Sequence, residues 1–194
     1  PYGGGPGMVL KYEPLRDAIR TARSRLPEGS AECILSAQGT PFDQERAQKL
    51  ATGPGLLLVA GRYEGIDERI IRGEVHEELS LGDFVLSGGE LAAAVVIDAV
   101  ARLIPGALGH EASSQEDSYT SGLLGHPQYT RPESIDDMMV PEVLVEGHHE
   151  AIRLWRLKQA LGKTWLRRPD LLESRILSAE EQMLLQEFIE EHEA

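Results

Sequence analysis

The sequence predicts an α/β domain with helices on both faces of its sheet, then a flexible linker and a small helical domain. Three observations carry this. Short apolar runs such as "GLLLVAG" alternate with segments of helical periodicity through residues 14–104. Strands that are apolar throughout are buried on both faces, as in a helix-covered sheet. Residues 105–132, "PGALGHEASSQEDSYTSGLLGHPQYTRP", are rich in Gly, Ser and Pro and have no sustained periodicity; loops this long are functional or disordered. The expected division is a first domain over 1–107, a linker over 108–127 and a helical domain over 128–194.

Each element has its own signal. Residues 14–26 read as a helix, with Pro14 in its first turn and Leu15, Ile19, Ala22 and Leu26 at helical spacing. "AECILSAQG" (31–39) is an apolar strand ending in polar and glycine residues, and "DQERAQKLA" (43–51) is a polar helix. "GLLLVAG" (55–61) is a second buried strand, and "IDERIIRG" (66–73) a short helix closed by Gly73. "VHEELSLGDFVLSGG" (75–89) supplies extended segments broken by Gly82. "ELAAAVVIDAVARLI" (90–104) is a strong helix ended by Pro105. Residues 150–162, 166–174 and 179–192 read as helices, the first with a stripe of Leu154, Leu157 and Leu161.

Composition narrows the class. A chain of 194 residues with 41% apolar content supports a packed core. Its longest apolar run, 91–97, is far short of the ~20 residues that span a bilayer. The single Cys33 excludes an internal disulfide framework and fits a reducing cytoplasm, and the start shows no signal-peptide pattern. "PYGGGPGM" at the beginning is loop chemistry without an initiator Met, so Pro1 is expected to be an internal position of a longer protein. The net charge of −13 opposes indiscriminate nucleic-acid binding. Yet "AIRLWRLKQALGKTWLRRP" (151–169) carries six bases, no acids and both tryptophans.

The chemistry-bearing motifs sit at strand ends. "LSAQG", "AGRYEG" and "SLGDFVLSGG" each finish a predicted strand in small or polar residues, and ligands of α/β sheets bind beyond the carboxyl ends of strands. Three ordinary turns would read the same way. Neither a G-x-G-x-x-G fingerprint nor a phosphate loop is present, which disfavours a dinucleotide or nucleoside triphosphate. No H-E-x-x-H, cysteine zinc site or G-x-S-x-G elbow occurs, so no metal site is expected. "HEASSQEDSY" (110–119) places Glu111, Glu116 and Asp117 in a hydroxyl-rich loop. That is a solvated acidic loop, or one that brings a general base to a substrate.

Taken together, "PYGGGPGM", "GRYEGIDER", "SLGDFVLSGGE", "GHEASSQEDS", "YTRPE" and "RLKQALGKTWLRRPDLL" closely resemble the bacterial tRNA (guanine-N1)-methyltransferases of the SPOUT superfamily. The resemblance runs in order through essentially the whole chain. It implies a trefoil knot in the α/β domain, S-adenosyl-L-methionine as donor, and methylation of the guanosine immediately 3′ of the anticodon (guanosine 37). It also implies a homodimer with a shared active site. Another knotted RNA methyltransferase, or a non-catalytic tRNA-binding fragment, is the competing expectation.

By the same resemblance, Leu35, Ser36, Gly61, Tyr63, Glu64, Ser80, Leu81, Gly82, Asp83, Phe84, Val85, Leu86, Gly88 and Gly89 form the donor site. Gly88 and Gly89 would let the backbone pass close to the ligand. Asp117 is the implied base for the guanine N1 proton, and Arg102 the residue that stabilises charge on O6. Arg153, Arg156, Lys158, Lys163, Arg167 and Arg168 are the implied tRNA contacts. Ala37 departs from the family, many of whose members have proline there. The family also has a further segment, with its first strand, ahead of Pro1. Whether a divalent ion is needed is not legible.

Overall fold

The computed structural model describes residues 1–107 and 117–193. The chain divides into two compact units, Pro1–Glu111 and Ala112–Ala194.

The first unit is built on a parallel three-stranded sheet in the order β2-β1-β3. Its elements are α1 (Tyr12–Arg23), β1 (Ala31–Pro41), α2 (Gln44–Ala51), β2 (Leu56–Ala60), α3 (Glu68–Glu74), β3 (Glu77–Ser80) and α4 (Glu90–Ala101). Alternation along the strands makes two cores. Cys33, Leu35 and Leu79 pack with Ala47 and Leu50 of α2 and Ala92, Val96 and Val100 of α4. Ile34, Leu57 and Val59 pack on the other face with Ile19 of α1 and Ile70 of α3. Helices thus cover both faces, as the apolar strands predict. Asp43 caps α2 by accepting from the Arg46 amide at 2.8 Å, and Asp67 caps α3 through the Arg69 amide at 3.0 Å.

Two irregularities shape the carboxyl edge of this sheet. β1 pairs with β3 through Leu35↔Leu79, leaves the ladder over 36–39, and returns at Thr40↔Leu79. Gly39 makes the return possible: a Cβ there would lie 2.6 Å from backbone atoms of Glu78 and Leu79. The extended stretch expected over 75–89 is a strand only to Ser80; Gly82, at φ +145°, then turns the chain away.

In the second unit a two-residue hairpin joins β4 (Ser134–Ile135) to β5 (Met138–Met139), with Asp136 and Asp137 in the left-handed region. A short 3-10 turn, Glu142–Leu144, leads to α5 (His149–Arg167), α6 (Pro169–Glu173) and α7 (Ala179–Glu193). The helix expected over 150–162 therefore continues to Arg167, and the one expected over 166–174 shrinks to a single turn opened by Pro169. Ser178 and Glu181 form a reciprocal capping box at the start of α7. Leu123, Leu161 and Leu184 are the core. Leu123, within the residues expected to be linker, is 4% exposed in this core, and Thr164 Oγ1 accepts from the Leu124 amide at 2.9 Å. Among the described residues no helix is long and apolar enough to cross a membrane.

Candidate functional site

A cavity of about 440 Å³ opens at the carboxyl ends of the strands in the first unit. Its walls are the 35–38 segment where β1 leaves β2, the 61–66 turn after β2, and 80–89 after β3. All the residues expected to form the donor site line it, except Asp83. Ala37, Gln38, Arg62 and Gly65 complete the same walls. So do Ile34, Ile66, Glu68, Ile71 and Glu78, which the motifs do not single out.

Local conformation explains why the chain folds this way. In "GRYEG" the left-handed residues are Tyr63, at φ 63°, and Gly65, at φ 128°. A tyrosine there is uncommon and is held by its surroundings. The Glu64 amide donates to the Met8 carbonyl, the Leu10 amide to Gly65, and the Asp67 amide to Leu10, at 2.9, 2.9 and 3.2 Å. The glycine-rich opening segment thus clamps the turn from outside. Gly61 does not have a positive φ; a Cβ there would meet Ile66 Cδ1 at 3.2 Å. Gly89 serves packing: a Cβ would lie 2.8 Å from Ala60 Cα, so this glycine lets the start of α4 close against the end of β2.

The cavity's charge is negative. Glu64, Glu68 and Glu78 line it, while Arg62, the one arginine among the described residues of its walls, is paired with Glu90 at 2.8 Å. Glu90 is held below the usual carboxylate range by a bond from its own backbone and by Arg62. Glu78 Oε2 is buried without a hydrogen-bond partner. Cys33 is no nucleophile: burial, with its bond to Glu77, pushes the thiol up to about 12.

Arg102 caps the C-terminus of α4 in the first unit. Asp117 lies half-buried in the second, where its carbonyl accepts from Thr120. Glu111 and Glu116 lie outside the described residues.

The basic segment is less free than its sequence suggests. Arg153 pairs with Glu150 and Glu180, and Lys158 with Glu187 and Glu191 of α7. Lys163 donates to the Gly125 carbonyl at 3.2 Å, and Arg168 pairs with Asp170 and lies over the Tyr119 ring. Arg167 is exposed at the end of α5. Arg156 lines a second cavity, of about 420 Å³, with Gln128, Tyr129, Arg131 and Trp155. The Tyr129 and Trp155 rings are 6.3 Å apart there.

Comparison with known proteins joins these features to a family. Residues 1–174 match the family model described as tRNA (Guanine-1)-methyltransferase TrmD. The chain is 60% identical over 194 residues to the tRNA (guanine-N(1)-)-methyltransferase of Nitrosococcus oceani, covering 100% of this chain and 77% of that protein. It is 58% identical over 193 residues to the protein of the same name from Methylococcus capsulatus, again 100% of this chain and 77% of the relative. For the Proteus mirabilis protein of that name the figures are 57% over 192 residues, 99% and 77%. With a strand-end cavity of ligand size and a family match over most of its length, the chain belongs to the tRNA (guanine-1)-methyltransferase family, whose reaction requires a methyl donor.

Proposed function

We propose that the protein transfers a methyl group from S-adenosyl-L-methionine to N1 of guanosine 37, immediately 3′ of the anticodon in tRNA. The observation that carries this reading is the coincidence of family membership with one cavity that gathers all three strand-end motifs. Its volume falls in the ~300–1,000 Å³ range of small-molecule sites. Three carboxylates against one paired arginine favour a cationic ligand, and the donor is cationic. On this reading the loops cross in a trefoil knot, and the protein works in the cytoplasm.

S-adenosylmethionine supplies an electrophilic methyl on a positively charged sulfur that leaves as a neutral thioether. The protein's part begins at guanine N1, which is protonated at neutral pH and a poor nucleophile. Asp117 accepts that proton as the N1–carbon bond forms and the carbon–sulfur bond breaks. Arg102 stabilises the negative charge that develops on O6. Backbone groups of 80–86 and the 61–64 turn hold the donor. Arg153, Arg156, Lys158, Lys163, Arg167 and Arg168 contact the RNA backbone, with the Tyr129 and Trp155 rings beside Arg156.

The reading includes a homodimer with a shared site. α4 is apolar nearly all round, and such a helix is buried in the working assembly. Its inner side is Ala92, Val96 and Val100, but Leu91, Val95 and Ile97 are 69%, 51% and 55% exposed. A second copy covering that face would meet Arg102, which follows Leu91 and Val95 along one helical stripe.

The decisive test is incubation with tRNA and donor, followed by digestion and mass spectrometry. We expect 1-methylguanosine, mapped to guanosine 37. A ribose-methylated nucleoside, or none, overturns the reading.

A further inference from the structure

We propose that Glu78 is a donor-binding residue whose carboxylate pairs with the positively charged end of S-adenosylmethionine. This rests on the reading of the cavity given above and adds a residue that no motif reaches.

Glu77 and Glu78 are adjacent in β3, so their side chains leave on opposite faces. Glu77 stands opposite Cys33 in the register; its carboxylate accepts from Cys33 Sγ at 3.0 Å and pairs with Arg46. Glu78 stands opposite Ile34, on the face toward α1 and α3. Ile34, Ile66 and Ile71 line the cavity with it. The buried carboxylates on this side, Glu32 and Glu74, are taken by Arg23 and Arg20. Glu78 is left over. Its Oε2 and Arg46 Nε are the buried side-chain polar atoms among the described residues that have no hydrogen-bond partner.

A buried, unpaired carboxylate oxygen is costly and calls for an explanation at the site where it occurs. A neutral hydroxyl or amine on a ligand would satisfy a lone pair but leave the charge buried. A cation does both. The donor offers two cations, the sulfonium and the ammonium of its amino-acid end, and a cavity lined by Glu64, Glu68 and Glu78 favours either.

The test compares S-adenosylmethionine with 5′-methylthioadenosine, which keeps the nucleoside and the sulfur but has neither positive charge. Glu78→Gln preserves size and removes the charge. Calorimetry should show the affinity of Glu78→Gln for S-adenosylmethionine reduced about tenfold or more, a loss typical of a charge-assisted bond. Its affinity for 5′-methylthioadenosine should stay within about twofold of wild type, since no charge is involved. Equal weakening of both compounds would assign Glu78 a structural role and overturn the proposal, as would no weakening of either. Thermal melting checks the fold, and Glu78→Ala, measured the same way, carries the comparison if the glutamine variant does not fold. A wild-type protein that binds neither compound overturns the cavity reading itself and this assignment with it; a failure confined to the variant bears on Glu78 alone.

Discussion

A Cβ on Gly89 would lie 2.8 Å from Ala60 Cα and 3.0 Å from Gly61 N, backbone atoms that have no rotamer to change. On Gly61 it would instead meet the Cδ1 of Ile66 at 3.2 Å, the movable end of a side chain. Two glycines of one cavity therefore differ in what they permit. Gly89→Ala should lower stability by about 1–3 kcal/mol, the usual cost of overpacking, and Gly61→Ala by less than about 1 kcal/mol because Ile66 can yield. Urea titration measures both, and equal losses would refute the distinction. Most of the cavity wall was legible because glycines and hydroxyls at strand ends announce a place where backbone meets ligand. Glu78 was not, since nothing in "HEELS" says which glutamate finds an arginine on α2. Asp83 was expected on the wall because it sits inside the motif, and the turn begun at Gly82 leaves it off the lining.

Helix α1 is fastened to the sheet and to α3 by charge. Arg23 donates from Nε and Nη2 to Glu32 of β1 at 2.6 and 2.7 Å, and Arg20 donates from Nη2 to Glu74 of α3 at 2.5 Å. Hydrogen bonds from Arg23 and Arg20 hold Glu32 and Glu74 below the ordinary carboxylate range. A depressed folded pKa stabilises the fold fully above the unfolded value of about 4.3 and ceases to do so as pH falls through the lower, folded value. The urea midpoint should therefore hold from neutrality down to about pH 5 and decline below about pH 4. Arg23→Gln should lower the midpoint at pH 7 and make the acid decline shallower. An acid limb of unchanged slope would show that the pairs do not carry it. The same scale explains which elements the sequence revealed. α4 and the apolar strands were legible from periodicity alone. The continuity of α5 was not: Gly162 reads as a break, yet a Cβ there would lie 2.3 Å from the Phe188 ring, so it is a contact with α7, remote in sequence. The hairpin was missed because its turn is Asp136-Asp137, which adopts left-handed φ without the Asn-Gly or Asp-Gly signal.

For the molecule as a whole, the two implied catalytic residues belong to different compact units, Arg102 to the first and Asp117 to the second. The proposed function has the site need both and, with α4 exposing apolar residues, has it completed between copies. On that proposal, each composite site of an isologous dimer would take its donor cavity from one chain and Asp117 from the other. Val95→Glu would place a charge on that face and should yield monomers by light scattering, with methyl transfer lost and the fold retained; an active monomer would refute the shared site. Complementation sharpens the point. Asp117→Asn retains a donor cavity but no base. Gly82→Val retains Asp117 but forces a β-branched residue to φ +145°, with its Cβ about 3.0 Å from the Phe84 ring, and so spoils the cavity. Each homodimer should be inactive, by roughly 10²–10⁴-fold for the loss of the base. A heterodimer, purified through two different tags, should regain activity, because one of its two sites then has an intact cavity facing an intact Asp117. If heterodimers form and remain as inactive as their parents, base and cavity come from the same chain.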